Sequence, residues 1–134
     1  MLAKYGMLDQ THIAGFATGD AKNLLLQGSD LFALTSHSEN FGISVLEALA
    51  AGLPVLVTPG VALAAIVEKN QLGYVPDLDV TSISRSLEKF LTSQENSADP
   101  HERDCIRQFI LENYTWDQIA KNLIQVYLNI LDPP

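Results

Sequence analysis

Two short apolar runs on either side of a helical segment constrain this chain more than any other feature. Residues 31–35 (LFALT) and 53–58 (LPVLVT) read as strands, and neither alternates strictly between apolar and polar positions. Near-continuous apolar strands suit a sheet covered on both faces, the arrangement of parallel α/β folds. Between them, residues 41–51 are long enough for about three helical turns, with Gly52 as the stop signal. Strand, helix and strand in so short a span predict a right-handed crossover joining parallel neighbours. The expected fold class is therefore α/β, a Rossmann-like parallel sheet with flanking helices.

The remaining elements are weaker. Residues 2–8 read as a short helix or ragged start, and residues 12–15 (HIAG) are compatible with a short strand. Residues 20–28 predict a helix capped by Asp20, with Leu24, Leu25 and Leu26 supplying buried side chains. Residues 73–76 suit another short strand. Residues 81–91 are amphipathic through Ile83, Leu87 and Phe90, and a polar loop follows over residues 92–99. Asp99 then caps a helix with Pro100 in the first position and Glu102 in the third. Thr115 does the same for a final helix, with Gln118 in the third position and Tyr114 placed to staple onto Ile119. That helix carries Trp116, Ile119, Leu123, Val126, Tyr127 and Ile130, read as residues that hold the fold together. A chain of 134 residues accommodates one packed domain but not two lobes. Two good strands and two short ones make a small sheet for so much helix, so part of the natural domain is expected upstream of Met1.

Charge narrows the partners. Sixteen acidic residues against 8 basic ones give a formal charge of -8, a surface field that discourages contact with nucleic acid or anionic lipid. No apolar run approaches the roughly 20 residues of a membrane span, and the N-terminus has no secretory pattern. A cytoplasmic location is the simplest expectation, with peripheral membrane association of a longer parent left open. Cys105 is the single cysteine, and nothing near it in sequence suggests activation, so it reads as structural. There is no Walker loop, no dinucleotide glycine fingerprint and no zinc-like cluster, and no metal is assigned. His37 has Ser36, Ser38 and Glu39 beside it, but sequence proximity does not make a triad, and a polar loop or substrate-contact role is favoured.

Ligands of open parallel sheets collect at the carboxyl ends of the strands, which selects residues 35–40 and the loop after Thr58. The amides of Phe41, Gly42 and Ile43 have no partners within the helix that follows. Gly42 permits close approach, and the positive helix end favours a phosphate oxygen. The competing reading is a capped helix whose donors meet Asn40 or water. Glu47 emerges among Ile43, Ala50 and Ala51, where a carboxylate needs solvent or donors. It is either a ligand contact or a partly exposed glutamate. Glu39, just before the helix, is placed to accept hydrogen bonds from sugar hydroxyls, or to act as a solvated charge favourable to the helix N-terminus. A rise of about 1.5 Å per residue puts Glu47 roughly 7.5 Å beyond Gly42, so one ligand can reach both. No lysine or arginine lies between Lys22 and Lys69. A cation for a diphosphate is therefore expected from a folded-back segment or from sequence outside this chain.

The run SHSENFGISVLEALAAGLPV at residues 36–55 holds two glutamates separated by seven residues, then small residues and a Gly-x-Pro pattern. In this combination it resembles the carboxy-terminal, donor-binding domain of retaining glycosyltransferases of the GT-B fold, particularly glycosyltransferase family 4, also called glycosyltransferase group 1. Supporting similarity runs from about residue 8 to residue 127, through Gly15-Phe16, residues 31–35, Gly73-Tyr74-Val75 and Tyr114-Thr115-Trp116. The resemblance implies a nucleotide diphosphate sugar as substrate, with no separate cofactor. It further implies that Glu39 contacts the transferred sugar, that the Phe41, Gly42 and Ile43 backbone approaches sugar or diphosphate, and that Glu47 contacts the nucleotide ribose. Neither glutamate is assigned as a nucleophile. Ala62 and Ala65 stand where the family often has a glycine and an acidic residue. The expected organisation is a partial nucleotide-sugar-binding domain over residues 1–134, without the amino-terminal acceptor domain and the start of the donor domain. Such a piece is expected to be inactive alone and prone to self-association. The alternatives are a free-standing nucleotide-sugar binding or interaction module and a nucleotide-sugar epimerase-related domain.

Overall fold

A computed structural model describes residues 2–94 and 100–131 of the chain. The two apolar runs form strands β1 (Phe32–Leu34) and β2 (Val55–Val57), and they pair in parallel with Phe32 opposite Val55 and Leu34 opposite Val57. Strand β3 (Gly73–Tyr74) pairs in parallel with the other edge of β2, giving the order β1-β2-β3. The central position of β2 explains its unbroken apolar sequence, since all three of its residues are buried. Helix α2 (Ile43–Ala50) connects β1 to β2, as the spacing predicts. The chain has the expected fold class, a parallel sheet flanked by helices.

The core gathers where α2 lies against β2. Val45, Ala48 and Leu49 of α2 cluster with Leu53, Val55, Val57, Val61, Leu63 and Val67, and with Ile106 and Ile110 of helix α5 (Pro100–Asn113). Each buried side chain of this size contributes about 1.5–3 kcal/mol over its exposed state. The turn after α2 ends at Gly52, whose φ of 81° is the left-handed conformation of a helix stop. Arg107 donates to the Ala51 carbonyl at 3.2 Å, placing a cation where the α2 dipole is negative. Arg103 ties α5 to the end of helix α1 (Gly19–Gln27) through the Gln27 and Ser29 carbonyls. Helix α3 (Ala64–Lys69) lies where the sequence analysis assigns no element, burying Ala64 and Val67.

Several expectations are corrected. Residues 12–15 form no strand, because a strand needs a neighbour to satisfy its backbone and no described segment pairs with them. Asp20 does not cap α1; it sits in the first turn behind Thr18, which itself makes no side-chain cap. Leu24 and Leu25 are 68% and 48% exposed, and only Leu26 packs against the core. Successive helical residues point about 100° apart, so three adjacent leucines cannot all face one layer. Helix α4 (Val80–Gln94) continues through Thr92 and Ser93, which were expected in a loop. Their hydroxyls bond back to the Glu88 and Phe90 carbonyls, which lets polar residues stay helical. The Asp99 cap lies outside the described residues. Thr115 does accept from the Gln118 amide, at 3.4 Å, at the start of helix α6 (Trp116–Leu131). Yet no residue of α6 is buried, so its apolar residues do not hold this fold together: it meets α5 and leaves Leu123, Val126, Tyr127 and Ile130 in the open. Among the described residues no helix is long and apolar enough to cross a membrane.

Candidate functional site

The carboxyl ends of β1 and β2 open into two loops that are clasped together. The Thr58 hydroxyl, fully buried, donates to the Ser36 carbonyl at 2.6 Å. The Glu39 amide donates to the Gly60 carbonyl at 2.9 Å, and the Ala62 amide donates to the Glu39 carbonyl at 3.3 Å. Glu39 and Val61 thereby form an isolated parallel bridge that continues the sheet past its regular strands. Gly60 is required for this approach, since a β-carbon there would lie 2.1 Å from the His37 carbonyl oxygen. His37 itself is exposed.

The clasp places Glu39 over the start of α2. Gly42, buried at φ 81°, precedes the first helical residue, and a β-carbon on it would meet Val45, Val61 and the Glu39 Cγ at 3.3, 3.3 and 3.7 Å. Any side chain at position 42 would be strained in conformation and tight against Val45 and Val61. No side chain caps α2, so Asn40 is not the cap considered from the sequence. An uncapped helix start with a glycine at its lip leaves amides and the positive dipole end available to an anion. Phe41 and Ile43 flank it, 47% and 66% exposed.

Glu47 lies one turn further along α2, and the sequence analysis does not foresee its partner. Lys22 of α1 reaches across so that its Nζ is 2.5 Å from Glu47 Oε1, with both side chains a little over one third exposed. The pair lines a cavity of about 300 Å³ between α1 and α2, with Leu26 and Ala50 among its walls. On the other flank an apolar hollow of about 460 Å³ is walled by Phe41, Ile43, Leu46, Tyr114 and Trp116, and Glu47 borders this one too. Glu47 thus stands on the ridge between two concavities, one helical turn from the α2 start over which Glu39 lies.

Two contributors are missing from the sequence reading, Lys22 and Gly60. Lys22 had a signal, because it is the last cation before the long stretch without lysine or arginine. Gly60 follows Pro59 in a turn-like triplet, but only the loop pairing shows why glycine is needed. Cys105, read as structural, is exposed, with Sγ 3.4 Å from His101 Nδ1 one helical turn back. Among the described residues no three His, Cys, Asp or Glu side chains gather as a metal site.

Comparison with known proteins places the chain in a family. The family model for Glycosyl transferases group 1 matches residues 1–108. An uncharacterised glycosyltransferase of Methanocaldococcus jannaschii is 31% identical over 126 residues, covering 91% of this chain and 31% of that protein. The D-inositol 3-phosphate glycosyltransferase of Salinispora tropica is 31% identical over 128 residues, covering 95% of this chain and 26% of that protein. Among solved structures, a sucrose-phosphate synthase from Thermosynechococcus elongatus superposes with a TM-score of 0.77 at 20% identity, over 97% of this chain and 32% of that one, which shows a shared fold. The chain therefore spans about a third or less of the length of these relatives. With the family model covering most of its length, the chain belongs to the glycosyl transferases group 1 family.

Proposed function

We propose that this chain supplies the donor-binding face of an enzyme that moves a sugar from a nucleoside diphosphate to an acceptor with retention of anomeric configuration. The observation that carries the reading is the uncapped start of α2 at Gly42, with Glu39 across it and Glu47 one turn on, at the carboxyl end of a parallel sheet. In this reading Glu39 accepts hydrogen bonds from hydroxyls of the transferred sugar. The amides of Phe41, Gly42 and Ile43 face the diphosphate, and Glu47 accepts from the ribose. As the bond between the sugar's anomeric carbon and the diphosphate oxygen breaks, the electron pair leaves with the diphosphate, and donors already aimed at that oxygen stabilise the developing charge. The acceptor hydroxyl attacks the same face and passes its proton to the departing diphosphate.

Lys22 is engaged with Glu47, so in this reading the diphosphate is neutralised by a cation from a folded-back segment or from sequence outside this chain, and the acceptor is bound by a further domain. The test is product formation by the intact protein and by the 134-residue chain with a panel of nucleotide sugars and acceptors, with the anomeric configuration of the product read by NMR. Retained configuration from the intact protein and no multiple-turnover transfer by the short chain are expected. Inverted product, or epimerised donor without transfer, overturns the reading.

A further inference from the structure

We infer that Lys22 is a positioning residue for the donor ribose: its ammonium holds Oε1 of Glu47 and thereby presents the second carboxylate oxygen to the ribose hydroxyls. The inference rests on the reading of Glu47 as the ribose contact. Lys22 and Glu47 are 25 positions apart, on different helices, and meet at 2.5 Å. A pair this exposed contributes only about 0–1 kcal/mol to stability, too little to be what fastens α1. The end of α1 has other anchors, namely Leu26 packed against the core and the Arg103 bonds to the Gln27 and Ser29 carbonyls.

What the pair does fix is the direction of a carboxylate. Among the described residues Lys22 is the one side chain that hydrogen-bonds Glu47: Ser44, the polar side chain within one turn of it on α2, makes no such bond, and Ile43, Leu46, Ala50 and Ala51 offer no polar side-chain atom. A free glutamate loses up to about 2 kcal/mol of rotamer entropy when a ligand immobilises it, and a side chain already held is spared part of that loss. The chemistry is complementary as well. Ammonium only donates and a carboxylate only accepts, so Lys22 holds one oxygen of Glu47 without competing for the hydroxyl protons of a diol. Glu47 borders a cavity on each side, so a ribose can approach it while the lysine stays in place.

The test compares affinities of the intact protein for its best-bound nucleoside diphosphate and for the 2′,3′-dideoxy form of that compound. The proteins are wild type, Lys22→Met, Lys22→Arg and Glu47→Ala, each with its melting temperature. Lys22→Met is expected to weaken the ribose form about tenfold, near the worth of one charge-assisted hydrogen bond, and to leave the dideoxy form unchanged. Lys22→Arg should recover most of the discrimination, with all melting temperatures close to wild type. If Lys22→Met weakens both forms equally or neither, while Glu47→Ala abolishes the discrimination, the positioning role is wrong and the ribose contact stands. If Glu47→Ala leaves the discrimination intact, or no nucleoside diphosphate binds, the ribose reading fails and this inference with it.

Discussion

Glu39 and Glu47 differ in how they are held, and their variants should fail differently. Glu39 contributes its backbone to the loop clasp and its side chain to the mouth of α2. Glu39→Ala keeps the backbone bonds, so the fold should survive. Transfer by the intact protein should fall by roughly a hundredfold in kcat while nucleoside diphosphate affinity stays near wild type, the signature of contacts made to the reacting sugar. Steady-state kinetics beside equilibrium titration checks this. At the same scale, Gln71 is the one non-glycine with positive φ among the described residues, at 55°. Relief of that conformation in Gln71→Gly should stabilise the chain by about 0.5–1 kcal/mol, measured by denaturant unfolding. The two glutamates could be picked out as candidates because their spacing and the small residues around them are local in sequence. Lys22 was not legible as their neighbour, because its meeting with Glu47 depends on how α1 packs beside α2.

Among the elements, α2 was legible in its place and its end, where Gly52 marks the stop, but it starts at Ile43 and not at Phe41, because Gly42 takes a left-handed conformation outside the helix. Helix α4 shows the opposite case. Its start at Val80 follows Asp79, whose Oδ1 accepts from the Ser82 amide at 2.9 Å, a cap the sequence analysis passes over. The Ser82 amide, its hydroxyl, the Thr81 amide and the nearby Arg85 charge together lower the Asp79 carboxyl below its ordinary range. A depressed carboxyl stabilises the folded state above its unfolded pKa, and that contribution is lost as pH falls through the folded value. Protection of the amides of residues 80–84, measured against the exchange of the unstructured chain at the same pH, should therefore fall at pH below the ordinary aspartate range of about 4. Asp79→Asn, which retains a capping oxygen, should flatten this dependence. Unchanged pH dependence in Asp79→Asn would show that another group governs it. The burial expected of Leu24 and Leu25 was wrong because an apolar pattern names candidates, whereas the layer available to cover a helix decides which of them it buries.

For the whole molecule, the pairing and direction of β1 and β2 followed from two apolar runs and a short crossover, and the structure has both. The reading of residues 12–15 as a strand did not hold, since a strand is defined by a partner that lies elsewhere in the chain or outside it. Ile13 and Phe16 are 81% and 96% exposed, and α6 leaves a long apolar surface uncovered. Surfaces of this kind drive association. The 134-residue chain is expected to sediment as larger species with rising concentration, and Leu123→Glu with Tyr127→Glu should shift it toward the monomer. A monomer across the whole range would show that these faces do not associate.

The central claim is that the start of α2 with Glu47 binds the nucleotide part of the donor. Equilibrium titration of the intact protein with a panel of nucleoside diphosphates, wild type beside Glu47→Ala, tests it most directly. The account predicts that the best-bound diphosphate loses about tenfold or more in affinity for Glu47→Ala, the scale of a hydrogen bond to a charged group, while the unfolding transition is preserved. Equal affinity in the two proteins, with both folded, contradicts it.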